Sequence, residues 1–369
     1  MQDILLYKYR FRRSDKRHCT GIQRKSLPFR AFQERPADPA VQDLFATGET
    51  FYIIKAVAGV YPQGCTPVLD VLYSNINFME RLMTLYNIAS PSGKEKPMLR
   101  YLKAEMKRMG IACRQDRLGN LYAVKGQAKT YPCVVAHVDE VHRHRTGTYG
   151  AYVVADAMVI GYDYRHKRMT GIGADDKNGI WICLKCLEDF KVMKCAFFVQ
   201  EENGCIGSRE ADMAFFSDCR FVLQCDRRGD SDFITRIHGT ELCTRDFIGC
   251  AAAPKYGYKP AEGATTDVYI LKRRGLPVSC ANISCGYYEP HTDREYTILE
   301  DLHKCYRFVR HIVIAHKTVS IHSPEAEQYP FSGYYELFGI GGYSEEEYQR
   351  MLGRFKSGCS RKLLKKDFI

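Results

Sequence analysis

The chain has no long apolar run. Nothing in its 369 residues approaches the roughly 18 consecutive apolar residues of a membrane-spanning helix, so no membrane partner is expected. A secretory leader is also missing. The opening MQDILLYKYRFRR holds one short apolar stretch, Ile4 to Tyr7, then turns basic, with no small-residue cleavage site. That lack decides how the 16 cysteines are read. In a secreted chain they would suggest disulfides; here reduced thiols in a cytoplasmic protein are expected. A paired cysteine knuckle is absent too. Cys183-x-x-Cys186 has no second CxxC and falls in a stretch predicted helical, Asn178–Lys191, where helix packing explains it. Nor does any basic motif interleaved with aromatics accompany the net charge of +11. The terminal Arg361-Lys362-Leu363-Leu364-Lys365-Lys366 reads as a solvated end, and nucleic acid is not an expected partner.

What is present begins with a change of character near residue 76. Before it lie Pro- and Gly-punctuated segments such as Glu34–Pro39 and Gly59–Pro67, an N-terminal extension (1–76) of no readable structure. After it the patterning is regular up to residue 316, and a C-terminal tail (317–369) follows. At 369 residues and 45% hydrophobic the chain can bury a full core. Phe78, Leu82, Leu85 and Tyr86 mark a helix face. Ser92-Gly93-Lys94-Glu95 reads as a capping box opening a second helix that Gly110 ends. Strands are predicted at Ile111–Arg117, Asn120–Lys125, Tyr131–Val138, Tyr152–Tyr162, Cys195–Gln200, Phe221–Cys225 and Val278–Ile283. Helices are predicted from Asn178, after a Ser208 cap, over Thr266–Arg274 and over Glu300–Ala315. Such alternation implies an α/β fold with a mostly parallel central sheet and helices on both faces. In that architecture ligands bind outside the carboxyl ends of the strands.

Five polar clusters punctuate this pattern: His137-Val138-Asp139, Asp175-Asp176, Glu201-Glu202, Asp226 and His291. Singly, each has an ordinary explanation: a surface pair, turn chemistry, a solvated strand end, an ion-pair partner, a loop histidine. Together and in order, they supply the nitrogen and oxygen donors that zinc prefers. An adjacent Glu-Glu also offers one ligand and one free base. Two zinc ions ~3.5–4 Å apart would acidify a shared water, and a free glutamate would take its proton and pass it to the leaving amine.

Ala136-His137-Val138-Asp139, Gly173–Lys177, Gln200–Gly204, Cys225-Asp226 and Pro290-His291 resemble the successive metal motifs of the co-catalytic di-zinc exopeptidases, with peptidase T and the glutamyl-aminopeptidase-like enzymes as nearest kin. The resemblance covers about residues 78–316. It implies a zinc-exopeptidase (phosphorylase/hydrolase-like) fold in which His137 binds one zinc and His291 the other. Asp175 would bridge them, through a cis peptide to Asp176, and Glu202 and Asp226 would complete the ligands. Asp139 would fix the ring of His137, and Glu201 would act as general base. Met79 stands close to the start of the similar region, so an over-extended gene start is a further expectation.

Two intervals depart from those relatives. His137 and Asp175 are 38 positions apart, and Asp226 and His291 are 65 apart, too few for an inserted lid or dimerisation domain. Gly263–Asp267 resembles a substrate-lining loop, which makes Thr265, Thr266 and Asp267 candidate substrate contacts; a plain helix N-cap is the equal alternative. Tyr287 is a further candidate pocket wall, while His142 and His144 read as loop residues. The implied activity is a zinc-dependent aminopeptidase acting on short peptides, cobalt or manganese being other metals such ligands accept. Aspartate at 226, where many carboxypeptidase relatives carry glutamate, favours free N-termini. The alternatives are an N-acyl amino-acid deacylase with the same metals, a non-catalytic scaffold of the fold, and a peptidase carrying a nucleic-acid module at its basic ends.

Overall fold

Short apolar runs closed by polar residues fold as strands, and longer ones with helical spacing cover them. The computed structural model describes residues 3–8, 23–28, 79–142, 147–154 and 157–323. Apart from one strand pair and residues 317–323, the expected N-terminal extension and C-terminal tail lie outside the described residues, as do Phe78 and His144. That pair, β1 (Asp3–Lys8) and β2 (Gln23–Pro28), is antiparallel. Helix α1 spans residues 79–87 and α2 Lys96–Arg108. Strands β3 (Ala112–Gln115), β4 (Leu121–Lys125) and β5 (Tyr131–His137) follow. Next come β6 (Tyr149–Val154), β7 (Met158–Asp163), β8 (Arg168–Thr170) and α3 (Ala174–Asp189). The chain continues through β9 (Met193–Phe198), α4 (Ile206–Arg209), β10 (Cys219–Arg227), β11 (Asp232–Ile237) and β12 (Thr240–Glu241). It closes with α5 (Arg245–Ala251), β13 (Lys259–Gly263), α6 (Asp267–Arg273), β14 (Cys280–Ser284), β15 (Tyr287–Tyr288), β16 (Tyr296–Ile298) and α7 (Leu299–Ala315).

Nine strands form the main sheet in the order β12-β11-β14-β10-β5-β9-β4-β3, with β13 joining at β11. Its centre, β14-β10-β5-β9, is parallel, and antiparallel strands flank it. Every residue of β5 and β9 is buried, as strands covered on both faces require. Alternation along β10 shows the two covers: Gln224 accepts the Val268 N–H of α6, while Cys225 meets Cys305 of α7. A second, antiparallel sheet, β15-β16-β7-β6 with β8 on β7, buries Val159, Thr297 and Ala151. Among the described residues there is no separate lid domain, and no helix is long and apolar enough to cross a membrane.

Several local expectations shift. The capping box does not form: α2 has Glu95 at its N-cap without a side-chain cap bond, and Pro97 in its first turn sets the start instead. Ser92 Oγ donates 2.7 Å to Asp139 Oδ2. The regular turns of α3 start at Lys177, one residue before Asn178: Asp175 and Asp176 have non-helical backbone angles, and Asp176 Oδ1 accepts the Gly179 N–H at 3.0 Å. Ser208 lies inside α4 rather than capping it, its hydroxyl donating to the Cys205 carbonyl oxygen. Cys183 and Cys186 are fully buried in α3 and pack in the core.

Candidate metal centre

The loops leaving the carboxyl ends of β5, β9 and β10 meet the N-terminus of α3 and the turn beyond β15. His137 ends β5 and is completely buried, held there because its own N–H donates to Asp176 Oδ2 (3.1 Å). Its Nε2 lies 3.0 Å from Asp175 Oδ1 and 3.8 Å from Asp226 Oδ1. The other oxygen of Asp175, Oδ2, lies 3.2 Å from His291 Nε2, and that nitrogen is also 3.2 Å from Glu202 Oε2. Asp175 therefore stands between two imidazoles with one oxygen toward each. The Asp175–Asp176 peptide bond is cis.

The remaining donors are anchored from behind. Asp139 Oδ1 accepts the Glu201 N–H (2.9 Å) and Oδ2 the Glu202 N–H (3.2 Å), which fixes the turn after β9. Toward His137 Nδ1 the nearer acceptor is the main-chain carbonyl oxygen of Asp139 at 3.2 Å, with its carboxylate at 3.4 Å. Glu201 Oε1 accepts the Cys205 S–H at 3.2 Å. Close packing of this turn requires Gly207: a Cβ there would lie 2.4 Å from the Val199 carbonyl oxygen. Behind the Asp175 turn, Lys177 and Glu140 form a buried ion pair at 2.9 Å.

Three of the four candidate substrate residues, Thr266, Asp267 and Tyr287, contact Gln224 or Asp226. Thr266 stands at the N-cap of α6 without a side-chain cap bond, its Oγ1 lying 2.9 Å from both Gln224 Oε1 and Asp226 Oδ2. Tyr287 is buried and its hydroxyl donates to Asp226 Oδ1 at 3.1 Å. Thr265 meets His238 Nε2 at 2.9 Å. Asp267 is fully buried, accepting from Gln224 Nε2 through Oδ2. Residues that no motif announced complete the surroundings. Gln224 donates through Nε2 to both Asp226 and Asp267, and Asn282 Oδ1 accepts the Asp226 N–H at 2.9 Å. Glu295 accepts the N–H groups of Gly173 (2.7 Å) and Asp175 (3.1 Å). The only advance signal of Glu295 was its position four residues after His291.

The electrostatics describe a place short of positive charge. Burial alone would raise the Asp175 carboxyl, but the two imidazoles outweigh it and hold the group well below the usual carboxylate range. Burial and then the Asp175 charge push Glu202 up to about 7 and Asp226 to about 6. The carboxylates of Asp175 and Glu202 raise His291 to about 11. Burial opposes a charge on His137, yet Asp139, Asp175 and Asp226 carry its pKa upward. Glu201 is raised by burial and by the neighbouring acids Asp226, Asp267 and Glu202, against the pull of His137. Carboxylates gathered so tightly draw protons onto adjacent imidazoles, and a divalent cation satisfies the same demand.

The donors fit such a cation. One atom each from His137, Asp175 and Glu202 falls within 4.8 Å of the others, as do atoms from His137, Asp176 and Asp226. Asp176 is the weaker donor, since both its oxygens already accept backbone N–H groups. Glu202 Oε1 is buried without a hydrogen-bond partner, a costly arrangement that a bound cation would relieve.

No family model matches the chain, and no curated protein does. Solved structures do match. An aminopeptidase, PepT, from Bacillus cereus is similar at 14% identity and a TM-score of 0.53, over 64% of this chain and 97% of that one. A tripeptidase from Staphylococcus aureus is similar at 14% and 0.53, over 65% and 98%. A TET aminopeptidase from a marine-sediment thaumarchaeote is similar at 13% and 0.52, over 65% and 97%. The chain thus has the α/β fold of these peptidase structures.

Proposed function

We propose that the chain is a metal-dependent exopeptidase, an aminopeptidase acting on short peptides in the cytoplasm. Two zinc ions would be held by His137, Asp175, Asp226, His291 and Glu202. The observation that carries this reading is Asp175, whose two oxygens lie 3.0 and 3.2 Å from different imidazoles. The orphaned Glu202 Oε1 and the peptidase activities named for structures of the same fold support it. The described cysteines are all free thiols, which suits a reducing compartment.

Ions in this site supply Lewis acidity toward a peptide carbonyl and toward water. The chain's own groups do the rest. Glu201, outside the ligand set and fixed at its N–H by Asp139, accepts the proton of the attacking water and delivers it to the leaving nitrogen. The buried, acid-rich surroundings that raise its carboxyl make it a stronger base than an exposed glutamate. Asp139, pinned by Ser92, holds Glu201 and Glu202 in fixed relation, so base and ligand move together. Tyr287, Thr266 and Asn282 fix Asp226 on the opposite side.

The test is hydrolysis of a dipeptide panel with free and N-acylated termini by zinc-loaded protein, beside Glu201→Gln. Cleavage of free N-termini is expected, falling about 10²–10⁴-fold in the variant while its metal content stays unchanged. Cleavage of acylated substrates alone would assign a deacylase. Metal binding without cleavage of either class would assign a scaffold.

A further inference from the structure

Glu295 and His142 form a buried pair that none of the catalytic roles above uses. Glu295 has no exposed surface, and the His142 side chain is 9% exposed. His142 Nε2 lies 2.9 Å from Glu295 Oε2; a carboxylate only accepts, so this nitrogen carries the hydrogen. The same Oε2 accepts the Gly173 N–H, and Oε1 accepts the Asp175 N–H. One carboxylate thus grips the turn that presents Asp175 at both of its amides. Gly173, at the N-cap of α3, is left-handed (φ +63°), so the turn departs from helical geometry where it is held. The imidazole is seated on bare backbone: a Cβ at Gly171 would lie 2.0 Å from His142 Cε1. Glu295 comes from the same short segment as His291, so the grip also ties the two residues that face each other across the open side of the centre.

We infer that the His142–Glu295 pair is a positioning device for Asp175, setting its carboxylate so that one oxygen faces each imidazole. This rests on the di-metal reading above. Residues that orient a ligand by hydrogen bonds commonly alter metal affinity or activity by about 10–100-fold when replaced. Glu295→Gln puts an amide N–H against one of the two turn amides. His142→Phe removes the N–H to Glu295 at similar ring size, and Gly171→Ala displaces the ring while leaving both partners in place. The conservative His142→Gln keeps a donor.

The experiment loads the full chain and these variants with cobalt(II). It records the visible absorption spectrum, which reports ligand geometry, together with kcat and KM on a dipeptide. The expected result is an altered cobalt spectrum and kcat lowered about 10–100-fold at near-constant KM in Glu295→Gln, His142→Phe and Gly171→Ala, with recovery in His142→Gln. A purely structural role would lower the melting temperature and leave spectrum and kcat of the folded protein as in wild type, and that result overturns the inference. Should Glu295→Gln fail to fold, the other two decide; failure of all three to fold also overturns it. Wild type that binds cobalt but cleaves no peptide contradicts the peptidase reading and leaves the spectral test valid. Wild type that binds no cobalt contradicts both.

Discussion

His137 ends a central strand with no exposure, whereas His291 stands on a turn beyond β15 with 52% of its side chain open to solvent. Around His137, Asp226 is braced by Tyr287, Thr266 and Asn282, and the strand itself is packed on both faces. Around His291 the backbone is left-handed (φ +64°), and Glu202 keeps an unpartnered oxygen. One half of the centre is therefore formed by the packed core. The other half is formed by a turn and a strand end that a cation would help to order. Asp175 belongs to both.

The largest effect should come from the closed half. His137→Ala removes a ligand and opens a void in packed core, costing about 2–5 kcal/mol of stability in addition to all activity. Denaturant unfolding of metal-free protein measures it. In the open half, His291→Ala should cost metal-free protein less than His137→Ala does, because the pairs of His291 with Asp175 and Glu202 are screened where half its side chain meets solvent, while one metal equivalent and most activity are lost. Elemental analysis beside the same unfolding curve checks this. Equal destabilisation by the two variants would erase the distinction between the halves.

Asp139→Asn touches both sides at once, since the aspartate holds the N–H groups of Glu201 and Glu202 and lies behind His137. A loss of about 10–100-fold in metal affinity or kcat is expected, measured by metal competition and steady-state kinetics. The smallest effect lies away from the centre. His303 packs edge-on against Trp181 of α3, and burial, then Arg307 and Lys185, lower it to about 4. Its unfolded value is about 6.5, so between pH ~6.5 and ~4 the unfolded chain binds a proton that the folded chain does not. Stability from this group is present above pH ~6.5 and is lost as the pH falls toward 4. His303→Gln should flatten that part of the stability profile and leave metal binding unchanged.

The same contrast explains what could be read beforehand. Buried parallel strands are near-continuous apolar runs, so β5, β9, β10 and β14 and the polar residues closing them were legible, as was the parallel core they form. Asp175 was legible as one of the polar clusters, but its place between the two imidazoles only by resemblance. Glu295, His142, Ser92 and Gln224 were not, because their partners are backbone amides or side chains remote in sequence: Glu295 meets Gly173 from 122 positions away. Thr266 and Tyr287 were singled out as substrate contacts; their hydroxyls face Asp226, a detail that only packing sets.

The most direct test of a carboxylate shared between a closed and an open half is a crystal structure of zinc-soaked protein with data at the zinc edge. The account predicts two anomalous peaks about 3.5–4 Å apart, each beside one Asp175 oxygen, with the His291 peak lost first as zinc is withdrawn. A single peak, or one liganded by Asp176 in place of Asp175, would contradict it.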